Sequence, residues 1–138
     1  MGVNLAAIRA ALGQQLAAIP GLRVFTIAPD APVFPCAVLV PGSPTVEYGL
    51  TLGGTQAKLT LYVRVFTGRL NERSAEALLD QFLAESGPSS IPAAVATDPT
   101  LGGTVAYALV TRAERYGAWR LGDIDALGVQ FVVEVWTG

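Results

Sequence analysis

From Gln56 to Phe66 the chain alternates without a slip. Ala57, Leu59, Leu61, Val63 and Val65 fall on one side, and Lys58, Thr60, Tyr62, Arg64 and Phe66 on the other. Strict period two over that length predicts a strand with one face on a core and the other toward water or a partner. A one-residue slip would turn Lys58 and Arg64 inward, so the register is tightly specified. The same alternation returns near the end, where Val129, Phe131, Val133 and Val135 interleave with Gln130, Val132, Glu134 and Trp136. These two stretches are the best candidates for paired strands at the centre of a sheet.

Elsewhere the spacing changes to that of a helix. Leu5, Ile8, Leu12, Leu16 and Ile19 recur at helical intervals, with Asn4 placed to cap the start and Pro20-Gly21 to end it. Ala75, Leu78, Leu79, Phe82 and Leu83 form the clearest amphipathic stripe, with Asn71 as expected N-cap and Ser86-Gly87-Pro88 as stop. A short helix through Ala96 follows, capped by Ser89 or Ser90, with Pro92 tolerated in its first turn.

Between these lie further strand signals. Leu22 to Ile27 reads as a short strand, and Ala28 to Pro35, with three prolines, as an extended connection. Cys36 to Val40 is wholly apolar, as in a strand buried on both faces. Pro41-Gly42-Ser43-Pro44 breaks it, Thr45 to Tyr48 reads as a separate strand, and residues 45–55 as a flexible loop. Asp98 to Gly103 predicts a turn and Val105 to Glu114 a strand, with Val105, Tyr107 and Leu109 on one side. Tyr116 to Leu121 continues that strand, either bent or paired. The motif TLGGT at 51–55 recurs at 100–104; with unmatched flanks, it reads as repeated turn chemistry. The sum is one α+β domain over residues 1–138: a mainly antiparallel twisted sheet of about four to six strands, with helices on one face.

Composition sharpens this picture. Hydrophobic residues make up 51% and charged residues only 14%, where a soluble domain carries about a quarter charged. A chain of this size hides that much apolar surface most readily between subunits. The net charge of −2 and the absence of a basic tract argue against tight nucleic-acid binding. The N-terminal stretch lacks the basic start and unbroken apolar run of a signal peptide, and no apolar run is long enough to span a bilayer, so a soluble protein made inside the cell is expected.

Candidate chemistry is sparse. The chain has no histidine and a single cysteine, which leaves no zinc set and removes the commonest general base. Cys36 reads as an inert buried thiol. Asp123 and Asp125 read as turn acids, since no further acidic ligand follows at useful spacing. Arg112, Glu114, Arg115 and Arg120 form a mixed-charge patch suited to a solvated or intersubunit face. Among the aromatics, Tyr48, Phe66, Tyr116, Trp119 and Trp136 stand out. Phe66 and Trp136 fall on the polar sides of the two best strands, where exposed aromatics mark an interface. With Arg64 and Arg112 they make up the candidate contact residues; no catalytic, cofactor-binding or metal-binding residue is expected.

Several runs carry a family resemblance: PGSPTVEY at 41–48, LTLYVRVF at 59–66, SGPSSI at 86–91, DPTLGG at 98–103 and LGVQFVVEV at 127–135. With the order of elements, they resemble the tail terminator (tail-completion, neck) proteins of long-tailed actinobacterial phages. The resemblance implies a structural virion protein with no enzymatic activity. Such a subunit forms a ring, usually hexameric, at the head-proximal end of a non-contractile tail. It would stop tube polymerisation and dock to the head connector. The implied partners are copies of itself, the tail tube protein and connector proteins, with DNA passing the lumen without specific binding and no membrane. The implied place is the virion neck, after assembly in the host cytoplasm. Another head-closure or connector protein is the alternative; a small enzyme or ligand-binding domain is disfavoured by the missing acid–base pair.

Overall fold

The structure, a computed structural model, describes residues 4–27, 33–49 and 56–137. The two alternating stretches form its centre. Strand β3 (Lys58–Arg69) and strand β5 (Ile124–Trp136) pair antiparallel, with Leu59, Leu61, Val63 and Val65 opposite Val135, Val133, Phe131 and Val129. All eight side chains are buried. Strand β2 (Cys36–Glu47) flanks β3, β4 (Tyr107–Leu121) flanks β5, and β1 (Arg23–Phe25) lies parallel to β2. The order is β1-β2-β3-β5-β4, an open, mixed, mostly antiparallel sheet.

Helices α1 (Leu5–Leu16), α2 (Arg73–Leu83) and α3 (Ile91–Thr97) pack on one face of this sheet and make the fold α+β. Ile8, Leu12 and Leu16 of α1, Ala75, Leu79 and Phe82 of α2, and Ile91 and Val95 of α3 join the inner strand residues in one core. Asn4 caps α1 by accepting the Ala7 N–H at 3.1 Å. Ser90 caps α3, and its hydroxyl also donates to the Ala84 carbonyl, tying the end of α2 to the start of α3. Gln15 of α1 donates its amide to the carbonyls of Ala94, Val95 and Asp98, so one side chain collects the end of α3. After α3, the Asp98 carboxylate accepts from the Thr100 backbone N–H, the Thr100 hydroxyl and the Gly102 N–H. These bonds, the Thr100 hydroxyl first, hold its carboxyl below the ordinary range.

Several boundaries depart from the sequence reading. Residues 36–47 form one strand, not two. The Pro41–Pro44 segment passes through it as an irregularity between Pro41 and Val46, and pairing resumes at Val46 opposite Leu59. Thr45 to Glu47 therefore belong to β2 and not to a loop, while 50–55, including the first TLGGT, lie outside the described residues, as do 28–32 of the proline-rich connection. Helix α1 ends at Leu16; Ile19 is buried from the turn that follows. The cap position of α2 is Glu72, not Asn71, and no side chain bonds there. The Leu70 N–H donates to the Asp125 carbonyl at 2.9 Å, which keeps the chain on the sheet one residue longer and delays the helix.

Strand β4 is continuous to Leu121, with irregularities at Val110/Arg112 and Glu114/Gly117. It turns into β5 through Gly122-Asp123, the Gly at φ 59° as a tight two-residue hairpin requires. Val105 does not share a side with Tyr107 and Leu109: it precedes the strand and is buried, while they are exposed.

Gly128 sits where Phe66 crosses β5. A Cβ there would stand 2.8 Å from the Val65 carbonyl oxygen and 2.5 Å from the Phe66 ring. We expect Gly128→Ala to cost about 1–3 kcal/mol by overpacking, read from the denaturant midpoint. Adding Phe66→Leu should not restore stability, because the backbone oxygen stays in place. An unchanged midpoint in Gly128→Ala would contradict this packing.

Candidate functional site

Among the described residues, no helix covers the face of the sheet opposite the three helices; its own side chains and Phe34 do. At one end lies a small second core. Cys36, Val38, Phe66 and Ala126 are buried there under Phe25, Phe34, Val40, Trp119 and Leu121. Phe66 is 1% exposed, which corrects the expectation of an exposed aromatic. Its outward position on β3 is right, but Trp119 meets it edge-on at 5.7 Å and closes it from solvent.

Trp119 is the hub of this end. Its Nε1 donates to the Arg115 carbonyl at 3.0 Å. The Arg115 guanidinium lies 3.9 Å from the ring centroid and that of Arg64 5.2 Å, both as cation–π contacts. Arg115 holds a φ of 59° in the bulge of β4; that left-handed conformation is costly for a residue with a Cβ. Burial first, and then the charge of Arg115, draws the Arg64 guanidinium below its ordinary range.

A polar row crosses the sheet beside it. Arg64 Nε donates to Gln130 Oε1 at 2.9 Å, Gln130 Nε2 donates to Glu114 Oε2 at 2.7 Å, and Arg112 Nε meets Glu114 Oε1 at 3.1 Å. Gln130 is buried, and both ends of its amide are satisfied, as burial demands. The Arg112 bond first, then that of Gln130, holds the Glu114 carboxyl below its ordinary 4.5. At the far end Lys58 bonds Glu134 at 2.7 Å, with Glu47 at 3.8 Å. Half-buried Trp136 lies between Lys58, 5.8 Å from its centroid, and exposed Tyr107, at 6.3 Å.

The sequence-predicted residues therefore divide. Arg64, Arg112 and Trp119 come together in one network, with Phe66 beneath it. Trp136 shares the face but sits at its opposite end. Tyr48 is 75% exposed beyond the end of β2. Tyr116 lies on the helix side, its hydroxyl donating to Asp80 of α2 at 3.1 Å; burial first, then that carboxylate, raises its pKa. Arg120 leaves the expected patch and pairs with Asp125 at 3.2 Å across the hairpin, as suits a turn acid. Sequence reasoning missed Gln130. Its signal was one amide within the apolar run from Ala126 to Val133, opposite Arg64.

Among the described residues, two cavities open to solvent beside the helices and the sheet end. One of about 320 Å³ lies between α1 and α3, lined by Gln15, Ile19, Ser90 and Thr97, and another of about 470 Å³ opens beside Arg69, Asn71 and Asp123. Among the described residues no group of three or more His, Cys, Asp or Glu side chains is placed to hold a metal, and no helix is long and apolar enough to cross a membrane. Burial pushes the Cys36 thiol up to about 11, so it is not a nucleophile at neutral pH. No model of a known protein family matches the chain, and no curated protein matches it either.

Two outcomes follow. Cys36 in the native protein should resist a thiol reagent at neutral pH and react fully once unfolded; rapid native labelling would contradict its burial. Because the Glu114 pKa is lowered by folding, its contribution to stability is full above the unfolded value and is lost as pH falls through the folded one. The stability difference between wild type and Glu114→Gln should thus shrink from about pH 5 downward. Asp98 titrates with the same sign in both proteins and cancels. A difference that stays constant to about pH 3 would show that the row does not hold the carboxylate.

Proposed function

We propose that this chain is a structural subunit of a phage tail, a tail terminator that assembles with copies of itself into a six-membered ring at the head-proximal end. The ring stops growth of the tube and presents a surface to the head connector. The observation that carries this reading is the one-sided sheet. Helices cover one face, while the other face, and β4 at its edge, carry Arg112, Tyr107, Leu109 and half-buried Trp136 within reach of another molecule. A long open edge strand is a surface that proteins cover, pair or blunt with charge. The motifs at 41–48, 59–66, 86–91, 98–103 and 127–135 support the same reading by resemblance. Phe66, buried within its own subunit, lends it no support.

The role is one of contact, not catalysis. Partners are further copies, the tail tube protein and the connector, with DNA passing the lumen unbound, in a virion neck assembled in the host cytoplasm.

Mass-resolved light scattering over a concentration series should find discrete rings. Electron micrographs of polymerising tail tube protein should show shorter, capped tubes when this chain is added. A strict monomer that leaves tube growth unchecked sinks the reading.

A further inference from the structure

Two clusters of like charge lie on opposite layers of the fold. On the uncovered sheet face, Arg64 and Arg115 flank one indole, and neither lies in a salt bridge among the described residues. Glu114 on the same face is already held by Arg112 and Gln130. On the helix layer, Glu72 at the cap of α2 and Glu76 and Asp80 within it are exposed at four-residue spacing; Arg73 stands beside them and Asp80 accepts from the Tyr116 hydroxyl, but none of the three carboxylates lies in a salt bridge among the described residues. Like charges at that spacing repel along a helix, as do two guanidinium groups over one ring. The guanidinium pair is unfavourable alone, and the net negative charge of the α2 stripe would relieve it.

One subunit cannot bring them together, because the sheet lies between them. We infer that the Trp119 face of one copy docks on the acidic stripe of α2 in a second copy, head to tail. The inference rests on the proposed self-assembly. Both halves of the complement are on this chain, and a contact between two different patches is the kind that closes rings. Arginine and tryptophan are also the side chains that most often anchor interfaces. The net charge of −2 gives copies no overall attraction, so oriented patches would set the register.

The test uses charge reversal. Arg115→Glu and Glu76→Arg should each weaken assembly at least about tenfold in concentration, since each sets like charges face to face. The double variant should recover to within about threefold of wild type, and so should an equimolar mixture of the two single variants, because alternating copies then meet opposite charges. Circular dichroism and melting curves confirm that each variant is folded. If Arg115→Glu does not fold, Arg115→Gln and the Glu76→Arg arm carry the test, with Glu76→Gln as its neutral control.

Rings that ignore both reversals, or weaken without recovery in the double variant, overturn this docking and leave the proposed function standing. A wild type that stays monomeric removes both. If wild type binds a short DNA duplex in a salt-sensitive way, and Arg115→Glu abolishes that binding but leaves assembly unchanged, the arginines belong to nucleic acid instead.

Discussion

Everything in this fold is referred to the pairing of β3 with β5. Four aliphatic side chains of β3 face three valines and Phe131 of β5 on the helix side, all buried. At about 1.5–3 kcal/mol for each large apolar side chain buried, this ladder is the surface on which the helices find their core. It also fixes the parity of the opposite face. Lys58, Tyr62 and Arg64 can point outward only while Leu59, Leu61 and Val63 point in, because a strand has no third direction. The contact face is thus a consequence of the core.

The outward face solves a second problem. It carries apolar groups of its own, Val38, Phe66 and Val132, each nearly or fully excluded from solvent though no helix reaches them. Phe25, Phe34, Val40, Trp119 and Leu121 pack over the Phe66 end, and long amphipathic side chains extend the cover while their charged ends stay wet. Trp119 covers Phe66, and Arg64 and Arg115 bracket Trp119. The outermost part of that cover, Arg64 and Arg115, is charged rather than apolar, so a partner can rearrange it at lower cost than the packed residues beneath. The bound amide of Gln130 supplies the rigid part, tying Arg64 of β3 to Glu114 of β4.

The centre of the sheet was legible from the chain because burial on one side imposes period two, and both alternating stretches pair as their patterns require. The wholly apolar Cys36–Val40 run was legible for the complementary reason: Ala37 and Leu39 face the main core while Cys36 and Val38 face the second one. Phe66 was read correctly for side and wrongly for exposure. Parity says which face a residue takes, but not whether Trp119, more than fifty positions away, lies over it. The patch on β4 was less readable still. Arg112 lies three residues after Leu109, and Trp119 five after Glu114, so strict alternation would turn each of them inward. Two bulges, each adding one residue, restore both to the outer side. A local pattern cannot announce them, because the compensation is made by the partner strand.

Those bulges also bear on which contacts the edge allows. Past Val110, β4 is kinked twice and carries Arg112, Glu114 and Arg115, features that discourage a foreign strand from pairing along it. A two-fold contact centred on Trp119 would set the Arg64–Arg115 pair of one subunit close to its own copy, adding a second repulsion to the one already present over that ring. Joining two α2 stripes would do the same with carboxylates. Symmetric self-contact centred on either cluster is therefore disfavoured by the distribution of charge. The proposed contact joins unlike surfaces instead, and a contact of that kind repeats around an axis. With an arginine pair on one side of the sheet and a run of carboxylates on the other, the fold gives each subunit two patches that differ in sign, and hence a direction.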